Sequence, residues 1–298
     1  MKTVVVTGAG GFISRHVSQE LRRAGCRIIG ISHTRETIEG YDLVLPGALG
    51  STLTGVFDRE PIDCVVHCAY HADKKYEDEF RVNVSGTISW ADLAQNSGVR
   101  TQIFLSSLSA RENVTSAYGQ SKREIEKWFV GNHQIVYRLG LVVGNGGIFG
   151  RLVETVQKYP VIPLLDNGTA PVYPMGIDYL SQVIRDTVVD NGEGRKGRTW
   201  HLQQPESVLL REVLTTIRDV LMKRCIFVPI PSILVLKVVD LVENLHIKGL
   251  QISGSNIRGL RASYQAEFPS DFELFGYKPP TLNEMVVQAI RKPAISPD

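Results

Sequence analysis

A doubly wound, parallel α/β sheet with a smaller, mostly helical C-terminal lobe is the fold class that this sequence predicts. Three observations predict it. Short β-branched runs alternate with apolar-periodic helical stretches as far as Arg138; the first strand enters the first helix through a glycine-rich turn; and the alternation weakens after Gly150.

Taken in order, Val4-Val5-Val6-Thr7 makes a buried strand, Gly8-Ala9-Gly10-Gly11 a tight turn, and residues 12–24 a helix. Strands follow at 27–31, 41–45, 62–69, 102–107 and 135–138, with helices at 77–96 and 118–130 and a stunted helix at 53–57. Beyond Gly150, Pro160, Pro163, Pro171 and Pro174 take the chain out of the sheet, and a helix at 178–189 and a strand at 198–202 bring it back. The organisation expected is a nucleotide-binding domain of residues 1–145 plus about 176–205, and a substrate-binding lobe of 146–175 plus 206–298. The apolar run at 226–236 is too short to span a membrane, is broken by Pro229 and Pro231, and is closed by Lys237 and Asp240. It reads as a core strand followed by an amphipathic helix.

Composition excludes several function classes. Among 298 residues, 33 basic and 31 acidic side chains are interspersed for a net charge of +2, so no nucleic-acid partner is expected. Cys26, Cys64, Cys68 and Cys225 sit in or beside apolar segments without a CxxC pair, which suits reduced core thiols in a cytoplasm. His67, Cys68 and His71 lack a second ligand pair at suitable spacing, so no metal site is expected. The N-terminus carries one lysine and enters the strand at once, unlike a secretory signal.

The first glycine turn is placed to bind a dinucleotide. A strand–turn–helix junction aims backbone N–H groups and the positive end of a helix at one point, where a pyrophosphate can sit without a side-chain cation. Gly8, Gly10, Gly11, Phe12 and Ile13 are the residues expected there. At the end of the second strand stand Ser32 and Arg35, with no carboxylate before Glu36; an arginine at that place suits the extra phosphate of NADP(H), which is favoured over NAD(H). The fourth strand ends in His67, Cys68 and Ala69, small enough at its tip for the backbone to pass close to a cofactor. A similar glycine run, Gly144-Asn145-Gly146-Gly147-Ile148-Phe149-Gly150, comes several βα units later and reads as a structural turn.

Tyr118-Gly119-Gln120-Ser121-Lys122 puts a phenol and an ammonium one helical turn apart. A nearby cation favours the phenolate, so such a tyrosine can exchange a proton with a hydroxyl while hydride moves at the same carbon. Tyr70 and Lys74 share the spacing, but they follow the fourth strand rather than the fifth. A hydroxyl at the end of the fifth strand, from Ser107 or Ser106, could hydrogen-bond the reacting oxygen.

These signatures together resemble the extended short-chain dehydrogenase/reductases, the NAD(P)-dependent epimerase/dehydratase group that works on nucleotide sugars. The resemblance rests on Thr7-Gly8-Ala9-Gly10-Gly11-Phe12-Ile13, His67-Cys68-Ala69, Asn83-Val84-Ser85-Gly86-Thr87, Phe104-Leu105-Ser106-Ser107 and Tyr118 with Lys122, in the family's order. It is good to about Gly147 and thinner beyond, where Ile177-Asp178-Tyr179-Leu180 and Leu210-Arg211-Glu212-Val213 are similar to later landmarks. It implies a Rossmann fold, Tyr118 as the acid/base, Lys122 on the nicotinamide ribose, Ser107 on the substrate oxygen, and Asn83 among the cofactor-site residues. It also implies a nucleoside-diphosphate sugar as substrate and is compatible with a homodimer. Gly144, Asn145, Arg258 and Arg261 are expected along the substrate side, with a C-terminal arginine gripping the pyrophosphate.

The departures narrow the reaction. Ser14 stands where the family's turn has its third glycine. Leu108-Ser109 stands where sugar 4,6-dehydratases carry an Asp-Glu pair and fucose-synthase-like enzymes a cysteine, so dehydration is not expected. A 4-keto-sugar reductase or a 4-epimerase remains. The alternatives are a reductase of a non-sugar carbonyl compound and a non-catalytic NAD(P)-binding subunit; the second usually lacks the Tyr or Lys that this chain has.

Overall fold

The computed structural model describes residues 1–34, 37–53, 55–72, 75–231, 233, 268–278 and 280–291. Six parallel strands form in the first half: β1 (Thr3–Thr7), β2 (Arg27–Ser32), β3 (Leu43–Pro46), β4 (Cys64–His67), β5 (Thr101–Ser107) and β6 (Ile135–Leu139). With them run α1 (Phe12–Arg23), α2 (Tyr76–Asn96) and α3 (Ala117–Gly131). The rest comprises β7 (Leu141–Val143), α4 (Gly147–Lys158), β8 (Val161–Leu165), β9 (Pro171–Val172), β10 (Pro174–Gly176), α5 (Ile177–Val189), β11 (Arg198–Leu202), β12 (Val208–Leu209), α6 (Leu210–Val220), β13 (Ile226–Ile230) and α7 (Leu282–Arg291).

The main sheet has seven strands in the order β11-β6-β5-β4-β1-β2-β3, all parallel. This is the doubly wound order, which reverses direction between β1 and β4 and so opens a crevice at their C-terminal ends. Alternating residues feed two layers. Val4, Val6, Cys64, Val66 and Ile103 pack with Val17 and Leu21 of α1 and Leu180 and Ile184 of α5. On the other face, Val5, Ile29 and Val65 pack under Trp90 and Ala94 of α2, while Phe104 and Val136 pack under Ile125 and Phe129 of α3. Burial on both faces explains why these strands read as continuous apolar runs.

A separate cluster forms the lobe: Val143, Phe149 and Val156 with Ile162, Leu164, Val213, Ile217, Phe227 and Val286. There β8 pairs in parallel with β13, β7 with β10, and β9 runs antiparallel to β12. The strand expected at the start of 226–236 is thus β13, in the lobe and not in the main sheet.

Two local expectations are corrected. Residues 53 and 55–57 form no helix: Gly55 takes the left-handed φ of +73°, and Leu53 and Val56 turn inward beneath α2. At 144–150 the chain makes more than a turn, because α4 starts at Gly147. Among the described residues no helix is long and apolar enough to cross a membrane.

Candidate active site

The glycine turn after β1 is braced on three sides. Gly8 has φ +68°, and a Cβ there would lie 2.8 Å from the Ala69 Cα, so the turn rests directly on the exit of β4. The Thr7 hydroxyl accepts the N–H groups of Cys68 and Ala69, each at 3.1 Å. The Tyr41 hydroxyl lies 3.2 Å from the Ala9 carbonyl and 3.1 Å from that of Ser14, while the Ser14 hydroxyl lies 2.6 and 2.9 Å from the carbonyls of Gly8 and Gly11.

The open side faces solvent. Gly10 and Gly11 are exposed, and a Cβ on Gly10 would meet nothing within 4 Å. Helix α1 starts at Phe12 with Gly11 as its N-cap, no capping side chain and no acid in its first turn. Uncapped N–H groups beside an open, unobstructed glycine fit the pyrophosphate of a dinucleotide. At the end of β2, Ser32 is buried and accepts the Thr34 N–H at 3.3 Å. Arg35 lies outside the described residues.

Beyond β4, backbone and side chains have different roles. The His67 ring is turned into the core, 2.9 Å from the Gln102 carboxamide oxygen and edge-on to Phe129 at 5.1 Å; burial pushes its pKa down to about 4. Its contribution at the site is therefore through the strand it belongs to. Burial pushes the Cys68 thiol up to about 12, so it carries no thiolate at neutral pH. Asn83, fully buried, shapes the loop by accepting the His71 N–H at 2.9 Å and donating to the His71 and Glu79 carbonyls at 2.7 Å.

Ser107, Tyr118 and Lys122 meet at the end of β5. Ser116 caps α3 by accepting the Gly119 N–H at 3.2 Å, and this orients the first turn that carries Tyr118. A Cβ on Gly119 would lie 2.5 Å from the Ser109 carbonyl, so the loop after β5 folds onto that turn. The Tyr118 ring is 36% exposed. Desolvation raises the pKa of its hydroxyl, and a hydrogen bond with Ser107 opposes the rise. Lys122 is buried and donates to the Leu105 carbonyl at 2.7 Å; desolvation lowers its pKa to about 8. Its ammonium lies 4.6, 5.5 and 5.9 Å from the ring centres of Phe104, Tyr70 and Tyr118.

The structure separates the two serines at this strand end. Ser106 points away and donates to Glu126 at 2.5 Å; Glu126 in turn holds Arg138 through two bonds of 2.8 and 2.6 Å. Ser107 is the hydroxyl left beside Tyr118. The second glycine turn lies beside the first: Cβ atoms on Gly144 and Gly146 would lie 2.7 and 2.4 Å from the Phe12 ring, so Gly144 and Asn145 sit next to the start of α1. Arg258 and Arg261 lie outside the described residues.

Sequence reasoning missed the supports of this site. Thr7, Tyr41, Glu126 and Arg138 act through distant partners, and only Glu126 had a local signal, one turn beyond Lys122. It also set Tyr70 aside. The Tyr70 ring meets that of Tyr118 edge-on at 4.9 Å, and its hydroxyl donates to Glu79.

Residues 4–132 match the model of the NAD dependent epimerase/dehydratase family. The chain is 28% identical over 166 residues to UDP-glucose 4-epimerase of Mus musculus, which covers 43% of this chain and 48% of that protein. It is 23% identical over 217 residues to the chloroplastic divinyl chlorophyllide a 8-vinyl-reductase of Oryza sativa subsp. indica, covering 65% of this chain and 53% of the relative. It thus spans about half the length of the curated relatives it matches. Among solved structures, dTDP-glucose 4,6-dehydratase from Bacillus anthracis in complex with NAD has a TM-score of 0.68 at 15% identity, covering 98% of this chain and 96% of that one. UDP-glucose 4-epimerase from Thermotoga maritima with UDP-glucose has a TM-score of 0.65 at 16% identity, covering 77% and 85%. At these identities the structures show the shared fold.

Proposed function

We propose that this chain, whose residues 4–132 match the model of the NAD dependent epimerase/dehydratase family, is an NAD(P)-dependent oxidoreductase acting at a sugar carbon of a nucleotide sugar, as a 4-keto-sugar reductase or a 4-epimerase. The observation that carries this reading is the corner at the end of β5, where the Tyr118 phenol stands beside Ser107 with the buried Lys122 ammonium 5.9 Å from its ring centre. A nicotinamide bound at the crevice would supply or accept the hydride. Gly10, Gly11 and the first turn of α1 would hold its pyrophosphate. Ser107 would hydrogen-bond the substrate oxygen and Tyr118 would exchange the proton of that oxygen. Lys122 would favour the Tyr118 phenolate electrostatically and bind the nicotinamide ribose. Leu108 and Ser109 offer no carboxylate for elimination, which argues against a dehydratase. The lobe of residues 146–175 and 206–298 would carry the sugar nucleotide, with Arg258 and Arg261 as candidate pyrophosphate ligands.

One observation favours a second reading, a reductase of a non-sugar compound: the rice vinyl-reductase aligns over a larger share of this chain than the mouse epimerase does. Product analysis separates the two. Incubation with UDP- and TDP-sugars and either cofactor, followed by NMR of the products, should yield an epimerised or reduced sugar. No turnover and no binding of UDP or TDP would sink the sugar reading.

Tyr118→Phe removes one oxygen from a packed ring, so turnover should fall by about 10²–10⁴ while calorimetry finds cofactor affinity unchanged. Near-full activity in that variant would remove Tyr118 from the proton step. NADPH should bind more tightly than NADH by roughly ten- to a hundredfold, for Arg35 and the missing carboxylate after Ile31. Equal or tighter binding of NADH to the apo protein would overturn that preference.

A further inference from the structure

Two phenols, not one, occupy the corner beside Lys122, and their surroundings differ. Tyr70 follows β4, Tyr118 follows the neighbouring β5, and their rings meet edge to face with centres 4.9 Å apart and planes at 74°. Its hydroxyl donates to Glu79, in the first turn of α2. The same loop is pinned by Asn83, which bonds both the backbone of His71 and the Glu79 carbonyl, so ring and carboxylate are held from one anchor.

We propose that Tyr70, clamped by Glu79, is a positioning residue for Tyr118: its ring fixes and shields the Tyr118 ring, while its own hydroxyl is committed as a donor to Glu79 and leaves Tyr118 as the phenol that exchanges protons. Among the described residues the charged and hydrogen-bonding groups that face Tyr70 are Glu79 from α2, and Tyr118, Ser121 and Lys122 from α3. Burial, the Glu79 carboxylate and Tyr118 oppose ionisation of Tyr70, against a hydrogen bond with Ser121. Burial opposes ionisation of Tyr118 as well, but among the described residues no carboxylate bonds its hydroxyl, and Ser107 acts in the sense that favours the phenolate. Paired groups whose environments separate their titrations have separate roles. The geometry thus assigns the acid/base role to one ring and support to the other.

This inference rests on reading Tyr118 as the proton-transfer group, and its test needs neither substrate nor cofactor, so the two can fail separately. The full-length protein is labelled with [13Cζ]tyrosine and titrated by NMR, and Tyr70→Phe and Tyr118→Phe assign the two signals. In the wild type Tyr118 should ionise before Tyr70. Glu79→Gln should bring the Tyr70 midpoint down by about one pH unit or more, since a carboxylate no longer opposes the phenolate. Tyr70→Leu should lower the Tyr118 midpoint by roughly half a unit or more as water reaches the ring, whereas Tyr70→Phe, which keeps the ring, should leave it in place. A purely structural Tyr70 would change melting temperature in the Leu variant and leave the Tyr118 titration untouched. Ionisation of Tyr70 before Tyr118 overturns the proposal, as does a Tyr118 midpoint indifferent to Tyr70→Leu. Should Tyr70→Leu or Glu79→Gln not fold, the order of ionisation in the wild type decides alone.

Discussion

Two glycine-rich turns lie side by side in this molecule, one at residues 8–11 and one at 144–147, and they need glycine for opposite reasons. A side chain on Gly10 would project into open space, next to an uncapped helix start. Side chains on Gly144 and Gly146 would project into the Phe12 ring, which also stands edge-on to His16 at 4.9 Å. The first turn leaves the space in front of Gly10 free. The second gives up its side chains so that the backbone can pack on the residue with which α1 begins. Similar sequences therefore leave one turn open to a ligand and make the other a buttress for it.

The largest effect should come from the buttress. Gly146→Ala places a methyl 2.4 Å from Phe12 Cδ2, and because Gly144, Gly147 and His16 hem the ring, the strain should cost about 1–3 kcal/mol in urea unfolding. Cofactor affinity should change only as far as α1 shifts. Gly10→Ala should do the reverse, leaving the urea midpoint nearly unmoved and weakening dinucleotide binding by roughly tenfold, about 1.4 kcal/mol. If Gly146→Ala left stability intact and abolished binding, the distinction between the two turns would fail.

Most of the fold was legible because its strands are short, β-branched and buried on both faces; β1, fully buried from Thr3 to Thr7, is the clearest case. The stretch at 53–57 misled because its apolar residues dip inward around a left-handed glycine, and one residue's φ is invisible to periodicity. Helix α4 was obscured by its own glycines, which sequence alone assigns to the turn. At the candidate site, the meeting of Ser107, Tyr118 and Lys122 was legible from strand end and helical spacing. The contact of Tyr70 with Tyr118 was not legible, because it joins the segments that follow β4 and β5, 48 residues apart in the chain. Likewise the histidine of His67-Cys68-Ala69 looks like a site residue in sequence, yet its ring is hydrogen-bonded to Gln102 inside the core.

The smallest effect should come from Ser14→Ala, at the position where the first turn departs from the pattern it otherwise matches. If smallness alone mattered there, Ser14→Gly would be neutral or better. The structure assigns work to the hydroxyl instead: it is buried and lies within hydrogen-bond distance of the carbonyls of both Gly8 and Gly11, tying the turn to the helix it leads into. Ser14→Ala should therefore cost about 0.5–1.5 kcal/mol. Ser14→Gly should cost more, because it adds the entropy of a glycine within α1, up to about 1 kcal/mol relative to alanine. Dinucleotide affinity should fall with either change, since no hydroxyl then ties the Gly8 and Gly11 carbonyls to α1. Urea unfolding of both variants, with calorimetric titration of NADPH, checks this. A Gly variant as stable as the wild type would return Ser14 to a mere spacer and leave Tyr41 as the side chain bracing the turn from behind.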